Sequence, residues 1–84
     1  MATPIIVGEG SARYLERMAA NAARAEGILR YLSPAVRRLH GWEREMVERV
    51  IGEVRAWRAG GAVPGIGDET LVRLARIAER MDGV

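Results

Sequence analysis

The sequence predicts an all-α protein, and three observations support this class. Apolar residues recur in alternating steps of three and four along most of the chain, which is the period of an amphipathic helix. A Ser-Pro pair and a glycine-rich stretch separate the periodic segments. The 84 residues, 49% hydrophobic and 29% charged, suffice for one domain with a small core. We therefore expect residues 11–84 to form a single three-helix domain: a long antiparallel helical hairpin, a Gly/Pro turn and a shorter third helix.

Composition excludes several classes of protein. The chain has no cysteine, which excludes disulfides and thiolate metal sites. No apolar run approaches the roughly 20 residues that span a bilayer, and the N-terminus lacks the pattern of a secretory signal. We therefore expect a cytoplasmic protein that makes no contact with membranes. All 13 basic residues are Arg, which reflects either a GC-rich coding bias or a use in gripping phosphate and carboxylate groups.

Residues 1–10 are predicted to form a small extended arm before the helical domain. Pro4 and the glycines at positions 8 and 10 disfavour a helix, and the β-branched run Ile5-Ile6-Val7 favours an extended chain. Three consecutive apolar residues indicate a covered surface. We expect the arm to dock on the helical body; the alternative is that it pairs with the arm of another chain as a short edge strand.

The first helix is predicted to run from Ser11, as its N-cap, to about Leu32. One apolar seam follows it with helical spacing: Leu15, Met18, Ala22, Ala25, Leu29 and Leu32. The centre of this helix, residues 19–23, consists almost entirely of alanine and would allow another helix to approach closely. Together with the apolar arm, this seam of small residues favours a homodimer.

The second helix is predicted from Pro34 to Ala59, with Gly60-Gly61 ending it. Ser33-Pro34 separates it from the first helix, because proline disfavours helical geometry at the residue before it and suits the first position of a new helix. Its apolar stripe consists of Val36, Leu39, Met46, Val47, Val50, Ile51, Val54 and Trp57. The alternative is that Gly41 breaks this helix into a short and a long piece.

The similar predicted lengths of the first two helices suit an antiparallel hairpin, although a tight turn also allows an angled corner. In a hairpin, residues equidistant from the turn face each other. This arrangement would bring Met18 near Val50 and Gly27 near Gly41, so that the two glycines mark a close crossing of the helices.

The third helix is predicted from about Glu69 to Met81, with Asp68 as its cap and Gly83 as its stop. Its buried stripe is expected to contain Leu71, Leu74, Ala75, Ala78 and Met81. This helix is shorter than the other two and is expected to pack across their hairpin.

The run Val63-Pro64-Gly65-Ile66-Gly67-Asp68-Glu69-Thr70 resembles the helix-hairpin-helix motif of DNA-repair and replication proteins. In that family an apolar-Pro-Gly-apolar-Gly turn joins two helices, and the middle apolar residue, here Ile66, fills the space between them. The resemblance implies that the amides around Gly65 and Gly67, together with Thr70, contact a phosphate without reading sequence.

The alternative interpretation of this run is a structural loop in which Asp68 caps the third helix. Carboxylates stabilise a helix N-terminus through its dipole, so this interpretation accounts better for Asp68 and Glu69. We expect the loop to set how the third helix meets the hairpin, with phosphate binding as the less favoured role.

Two groups of arginines are further candidates for binding. Arg73, Arg76 and Arg80 lie three and four residues apart, so they cluster on one face of the third helix. This face could contact a nucleic-acid backbone, meet an acidic protein surface or remain solvated. Arg37 and Arg38 lie beside the Ser33-Pro34 turn, which a hairpin places at the end opposite the glycine loop.

Trp42 is the remaining candidate. It flanks the apolar stripe of the second helix next to Gly41. A half-buried structural role is favoured for this amphipathic ring. The alternative is an exposed ring that anchors a partner protein or stacks on a base.

Catalysis has little support in the sequence. The single histidine, His40, cannot form a His-based metal cluster, and no nucleophile with an oriented base is evident. We expect a non-enzymatic protein without cofactors, namely a nucleic-acid-associated accessory protein that contacts the phosphate backbone with little sequence preference. The alternative is a protein-binding adaptor or inhibitor, of the kind that phages and mobile elements encode, in which the Arg faces and Trp42 engage an acidic partner.

Overall fold

The computed structural model describes the backbone of residues 3–82 and the side chains of residues 12–82. Helix α1 spans Thr3–Leu32, a 3-10 helix spans Ser33–Arg38, α2 spans Gly41–Arg58 and α3 spans Asp68–Asp82. The described part of the chain contains no strand. The predicted all-α class is confirmed. The predicted stop of the third helix at Gly83 lies outside the described residues.

The start of α1 differs from the prediction. The helix begins at Thr3, so residues 3–10 are helical where the sequence predicted an extended arm, and Ser11 lies inside the helix and does not cap it. Proline is compatible with the first turn, where its missing N–H removes no hydrogen bond. A glycine inside a helix costs only about 1 kcal/mol relative to alanine. The side chains of Ile5-Ile6-Val7 lie outside the described residues, and so does their predicted docking.

The second predicted helix is broken, as the alternative proposed. The 3-10 helix ends at Arg38, and the backbones of Leu39 and His40 are extended, with ψ angles of 152° and 158°. Gly41 then begins α2 with a φ of +57°, a left-handed conformation that glycine adopts without steric cost. The break turns Leu39 into the core, where it is 1% exposed.

The end of α2 confirms the predicted stop at Gly60-Gly61. Gly60 has a φ of +101° and donates its N–H to the carbonyl of Trp57 over 3.0 Å. Gly61 donates to the carbonyl of Ala56 over 2.9 Å. These two bonds form a Schellman motif, which satisfies carbonyls that the helix end would otherwise leave unpaired.

Contacts between side chains define the directions of the helices. Asn21 contacts Asp68 at the start of α3, and Tyr31 contacts Asp82 at its end, so α3 runs parallel to α1. Helix α2 runs the opposite way, because Glu43 at its start pairs with Arg80 near the end of α3, while Arg58 at its end pairs with Glu26 of α1, which precedes Tyr31. The antiparallel hairpin is therefore confirmed.

The predicted close crossing at Gly27 and Gly41 is wrong. Both glycines are exposed, and a Cβ atom added to either would meet open space. The 3-10 helix and the extended Leu39 and His40 lengthen the connection between α1 and α2, which changes the register of the hairpin.

The core lies between α1, α2 and α3. Its buried side chains are Ala22, Ala25, Leu29, Leu32, Leu39, Met46, Val47, Val50, Val54, Ile66, Leu74 and Ile77. The predicted seam of α1 is buried from Met18 onward, whereas Leu15 is 52% exposed because the described helices do not cover this part of α1. Trp57 packs against the core, as predicted. None of the helices, over the residues searched, is long and apolar enough to cross a membrane.

Candidate binding site

The loop between α2 and α3, residues 59–67, presents its glycines on the surface and buries two apolar side chains. Ile66 is 2% exposed and belongs to the core cluster that all three α helices form. Pro64 is buried, while Gly65 and Gly67 are exposed. Ile66 therefore ties the loop to the body of the protein and leaves the backbone on either side of it open to solvent.

Asn21 of α1 holds this loop from within. Its Nδ2 atom donates a hydrogen bond to the carbonyl oxygen of Ile66 over 2.8 Å and another to Oδ1 of Asp68 over 3.1 Å. Asn21 is 4% exposed, and its bond to Ile66 is buried where water does not compete, whereas the side chain of Asp68 is exposed. Sequence reasoning missed Asn21. The available signal was a polar residue on the same face of the helix as Met18 and Ala25.

The prediction that Asp68 caps α3 is wrong. The carbonyl of Gly67 accepts the first helical hydrogen bond, from the Leu71 N–H over 3.2 Å, which makes Gly67 the N-cap and Asp68 the first helical residue. The Asp68 carboxylate instead accepts hydrogen bonds from α1: Oδ2 from Arg17 over 2.6 Å, and Oδ1 from Asn21. The bond from Arg17, and then that from Asn21, lower the pKa of Asp68. The negative charge at this helix end therefore already has a positive partner.

Two of the four exposed glycines of the loop, Gly65 and Gly67, are not required by a left-handed backbone or by close packing. Gly65 and Gly67 do not have positive φ angles, and a Cβ atom on either would meet open space. Their small size therefore has no packing reason within the described chain. Thr70, the third residue of the predicted phosphate contact, is half-buried one turn before Arg73.

A groove between α2 and α3 brings four of the predicted site residues together. We call it the Trp42 groove; its volume is about 590 Å³, and it is lined by Trp42, Glu43, Arg73, Arg76, Ile77 and Arg80. Trp42 is 59% exposed, so the favoured prediction of a half-buried ring is wrong. Trp42 lies in the first turn of α2, beside the break.

A second hollow adjoins the Trp42 groove. It has a volume of about 410 Å³, and Trp42 and Arg73 line it together with Glu45, Met46 and Arg49. Trp42 therefore projects between two open spaces. Ile77 forms apolar floor in the first and Met46 in the second, since the two are only 2% and 8% exposed.

The arginines of the Trp42 groove differ in their partners. Arg80 donates two hydrogen bonds to the carboxylate of Glu43, over 2.8 and 2.6 Å, and thereby joins α3 to α2. This bidentate contact lowers the pKa of Glu43 and raises that of Arg80. Arg73 pairs with Glu69 one turn away, over 2.7 Å. Arg76 makes no ion pair with a described residue, so its guanidinium is the one most available to an external anion.

Arg37 and Arg38 are exposed on the 3-10 helix and do not line the Trp42 groove. Arg38 lies near the hydroxyl of Tyr31, whose pKa is raised mainly by its 2.9 Å hydrogen bond to Asp82. The contact between Tyr31 and Asp82 puts this region at the C-terminal end of α3. The predicted site residues thus lie at both ends of α3: Arg37 and Arg38 near its C-terminal end, and the glycine loop with Gly65 and Gly67 at its N-terminal end.

Within the residues searched, no group of three acidic, His or Cys side chains could hold a metal ion. Comparison with protein-family models, with curated proteins and with solved structures yields no match to this chain. The interpretation of the site therefore depends on its own geometry.

Proposed function

We propose that this protein is a non-enzymatic, nucleic-acid-associated accessory protein that contacts the phosphate backbone along α3 with little sequence preference. The observation that carries the proposal is the convergence of Trp42 with Arg73, Arg76 and Arg80 in one open groove. An exposed aromatic ring beside guanidinium groups is a combination that nucleic-acid-binding surfaces use repeatedly.

Arg76 and Arg73 are the residues that would contact phosphate. Guanidinium groups bind phosphate oxygens through paired, charge-assisted hydrogen bonds. The ion pair between Arg73 and Glu69 is exposed, and exposed pairs contribute little, so a phosphate can replace the carboxylate. Arg80 is held by Glu43 and would act chiefly by adding positive charge.

The glycine loop would extend this contact surface at the other end of α3. The first N–H groups of a helix have no partner within it and favour anions. Gly65 and Gly67 leave the backbone accessible beside them. The carboxylate of Asp68, which would oppose an anion there, is paired with Arg17. These features support the phosphate contact that the helix-hairpin-helix resemblance implies.

A protein-binding adaptor or inhibitor is the second candidate function, and a different observation favours it. Glu43 and Glu45 line the two hollows beside Trp42, so the surface carries both signs of charge. Trp and Arg are also the residues that contribute most often to binding energy at protein interfaces. In this case an acidic partner would contact Arg76 and cover Trp42.

A salt titration of two charge-reversed variants tests the proposal. Labelled duplex and single-stranded nucleic acid are titrated with wild type, Arg76→Glu and Arg55→Glu, from low to moderate salt. Arg55 is an exposed arginine of α2 outside the Trp42 groove, so its reversal changes the net charge equally. We expect micromolar affinity at low salt, with a steep salt dependence. Arg76→Glu should weaken binding by at least about tenfold and Arg55→Glu by much less.

Two results would contradict the nucleic-acid proposal: no binding at the lowest salt, or equal losses for the two variants. An acidic protein that binds wild type in a stoichiometric complex, and no longer binds Trp42→Ala, would then support the function as a protein-binding adaptor. The loop is tested by Gly65→Ala, which should weaken nucleic-acid binding without lowering stability, because its Cβ meets no atom of the fold.

A further inference from the structure

We infer that the Trp42 groove takes single-stranded nucleic acid, with an unpaired base stacked on Trp42 and an adjacent phosphate bound by Arg76. This inference rests on the proposed function and names its substrate class. It follows from the exposure of one ring, the space around it and the chemistry of the walls.

The two tryptophans differ in what their rings contact. Trp57 packs against the core, and the guanidinium of Arg58 lies 4.2 Å from the centre of its ring. Trp42 is 59% exposed. A large aromatic surface left in water is unfavourable, and it gains free energy when a flat apolar group covers it. A nucleobase is such a group, and every base offers a π face for stacking.

The space beside Trp42 suits a base. The Trp42 groove and the adjoining hollow have volumes of about 590 and 410 Å³, and Trp42 lines both. Buried Ile77 and Met46 provide apolar contact in the two spaces. A base that stacks on the indole would therefore meet apolar atoms below it and keep its polar edge toward the rim.

Three arginines line the Trp42 groove, where the phosphate backbone of such a strand would lie. Arg73 and Arg76 are one turn apart on α3, which separates them by about 4.5 Å along the helix axis. Arg76 makes no ion pair with a described residue, and the partner of Arg73, Glu69, lies in an exposed pair. Arg80 is engaged by Glu43 through both terminal nitrogens. Arg76, with Arg73 beside it, is thus the phosphate contact, while Arg80 holds the groove wall in place.

The walls favour a single strand over a duplex or an acidic peptide. In a duplex the bases are stacked on each other, so no face is free for Trp42, whereas unpaired bases can stack on aromatic side chains. Glu45, in the wall of the second hollow, is a hydrogen-bond acceptor. The amino groups of bases can donate to it, but the carboxylates of an acidic peptide cannot.

The test measures the binding of four nucleic-acid probes of equal length to the Trp57→Phe protein, in which Trp42 is the sole source of tryptophan fluorescence. The probes that carry bases share one sequence. The probes are a DNA strand, the matching RNA strand, the DNA duplex and an abasic strand with the same phosphates. We expect the DNA or RNA strand to quench Trp42 and to bind at least about tenfold more tightly than the abasic strand. The difference between the DNA and RNA strands identifies which of them is preferred.

Two variants separate stacking from charge. Trp42→Ala should reduce the affinity for the ordinary strand to the affinity for the abasic strand. Trp42→Phe should keep part of the difference between these two affinities. Arg76→Ala should weaken binding of every probe and reduce the salt slope by about one. Circular dichroism checks the fold of each variant, and the comparison of ordinary with abasic strands in Trp57→Phe requires no change at Trp42.

Equal affinity for the ordinary and abasic strands, or binding without quenching, would overturn the inference. If all probes then bind alike and Arg76→Glu weakens them all, the proposed backbone contact survives without the stacking. If no probe binds, both proposals fail. Polyglutamate serves as a competitor that resembles an acidic protein. If it displaces the strand at a concentration lower than the strand itself needs for binding, the inference is overturned in favour of an acidic protein partner.

Discussion

Asn21 of α1 donates a hydrogen bond to the carbonyl oxygen of Ile66 over 2.8 Å, between residues 45 positions apart in the sequence. This buried contact joins the first helix to the loop that leads into the third. The glycine loop therefore has its position set by a side chain that the local sequence of the loop does not contain.

Replacement of Asn21 should lower stability. Asn21→Ala leaves the carbonyl of Ile66 without its buried donor, which costs about 1–3 kcal/mol. Urea unfolding followed by circular dichroism measures this loss. Ala20→Gln, at the exposed neighbouring position, is the control and should change stability by less than about 0.5 kcal/mol. Equal effects of the two substitutions would show that the bond to Ile66 contributes nothing measurable.

Gly60, which follows the end of α2, should respond differently to substitution from Gly65, further along the loop. Gly60→Ala places a side chain at a φ of +101° and should destabilise the protein by about 1–2 kcal/mol. Gly65→Ala should be neutral or stabilising by up to about 1 kcal/mol, because its Cβ meets open space and the unfolded chain loses freedom. Thermal and urea unfolding of both variants measure the difference. A large loss for Gly65→Ala would mean that the loop needs this glycine for its own conformation.

Two leucines of α1 provide a matched test of the core. Leu29 is 5% exposed and belongs to the core, so Leu29→Ala should cost about 2–5 kcal/mol. Leu15 is 52% exposed, and Leu15→Ala should cost less than about 0.5 kcal/mol. Urea unfolding at two protein concentrations measures both. A loss for Leu15→Ala that grows with protein concentration would contradict this prediction, and would support the homodimer expected from the sequence.

Acid should destabilise the protein through its paired carboxylates. Hydrogen bonds from Arg80 to Glu43, and from Arg17 and Asn21 to Asp68, lower the pKa of each carboxylate below its usual value of 4.5 or 3.8. A carboxylate with a lower pKa in the folded state binds protons more readily when unfolded, so its contribution is fully present above the usual value. That contribution is lost as the pH falls through the lowered pKa.

Glu43→Gln and Asp68→Asn should therefore be less stable than wild type at neutral pH and approach it at low pH. Urea midpoints measured from neutral pH to about pH 3 reveal this convergence. Glu79→Gln, at an exposed carboxylate of α3 for which the structure describes no ion pair, is the matched control. A constant gap between wild type and the two variants at all pH values would refute the role of the ion pairs.

Features that depend on near neighbours in the chain were predictable from the sequence. Helical periodicity identified most of the core side of each helix but missed Ile77 of α3, which is 2% exposed. The ends of α1 at Leu32 and of α2 shortly before Gly60 followed from the properties of proline and glycine. The candidate residues Arg73, Arg76 and Arg80 were found because residues three and four apart share a helix face. The N-terminal arm failed as a prediction, because proline and two glycines weaken a helix without preventing it.

The tertiary structure decided the rest. No local pattern pairs Asn21 with Ile66, or Arg17 with Asp68, because these contacts depend on the direction and register of helices that lie far apart in sequence. The break before Gly41 changed that register, and Trp42, next to the break, is exposed. The sequence by itself thus determined three helices and their apolar faces through interactions along the chain. Only the packing of α3 against α1 and α2 brought Trp42 beside Arg76, because the core between the helices sets which surfaces meet.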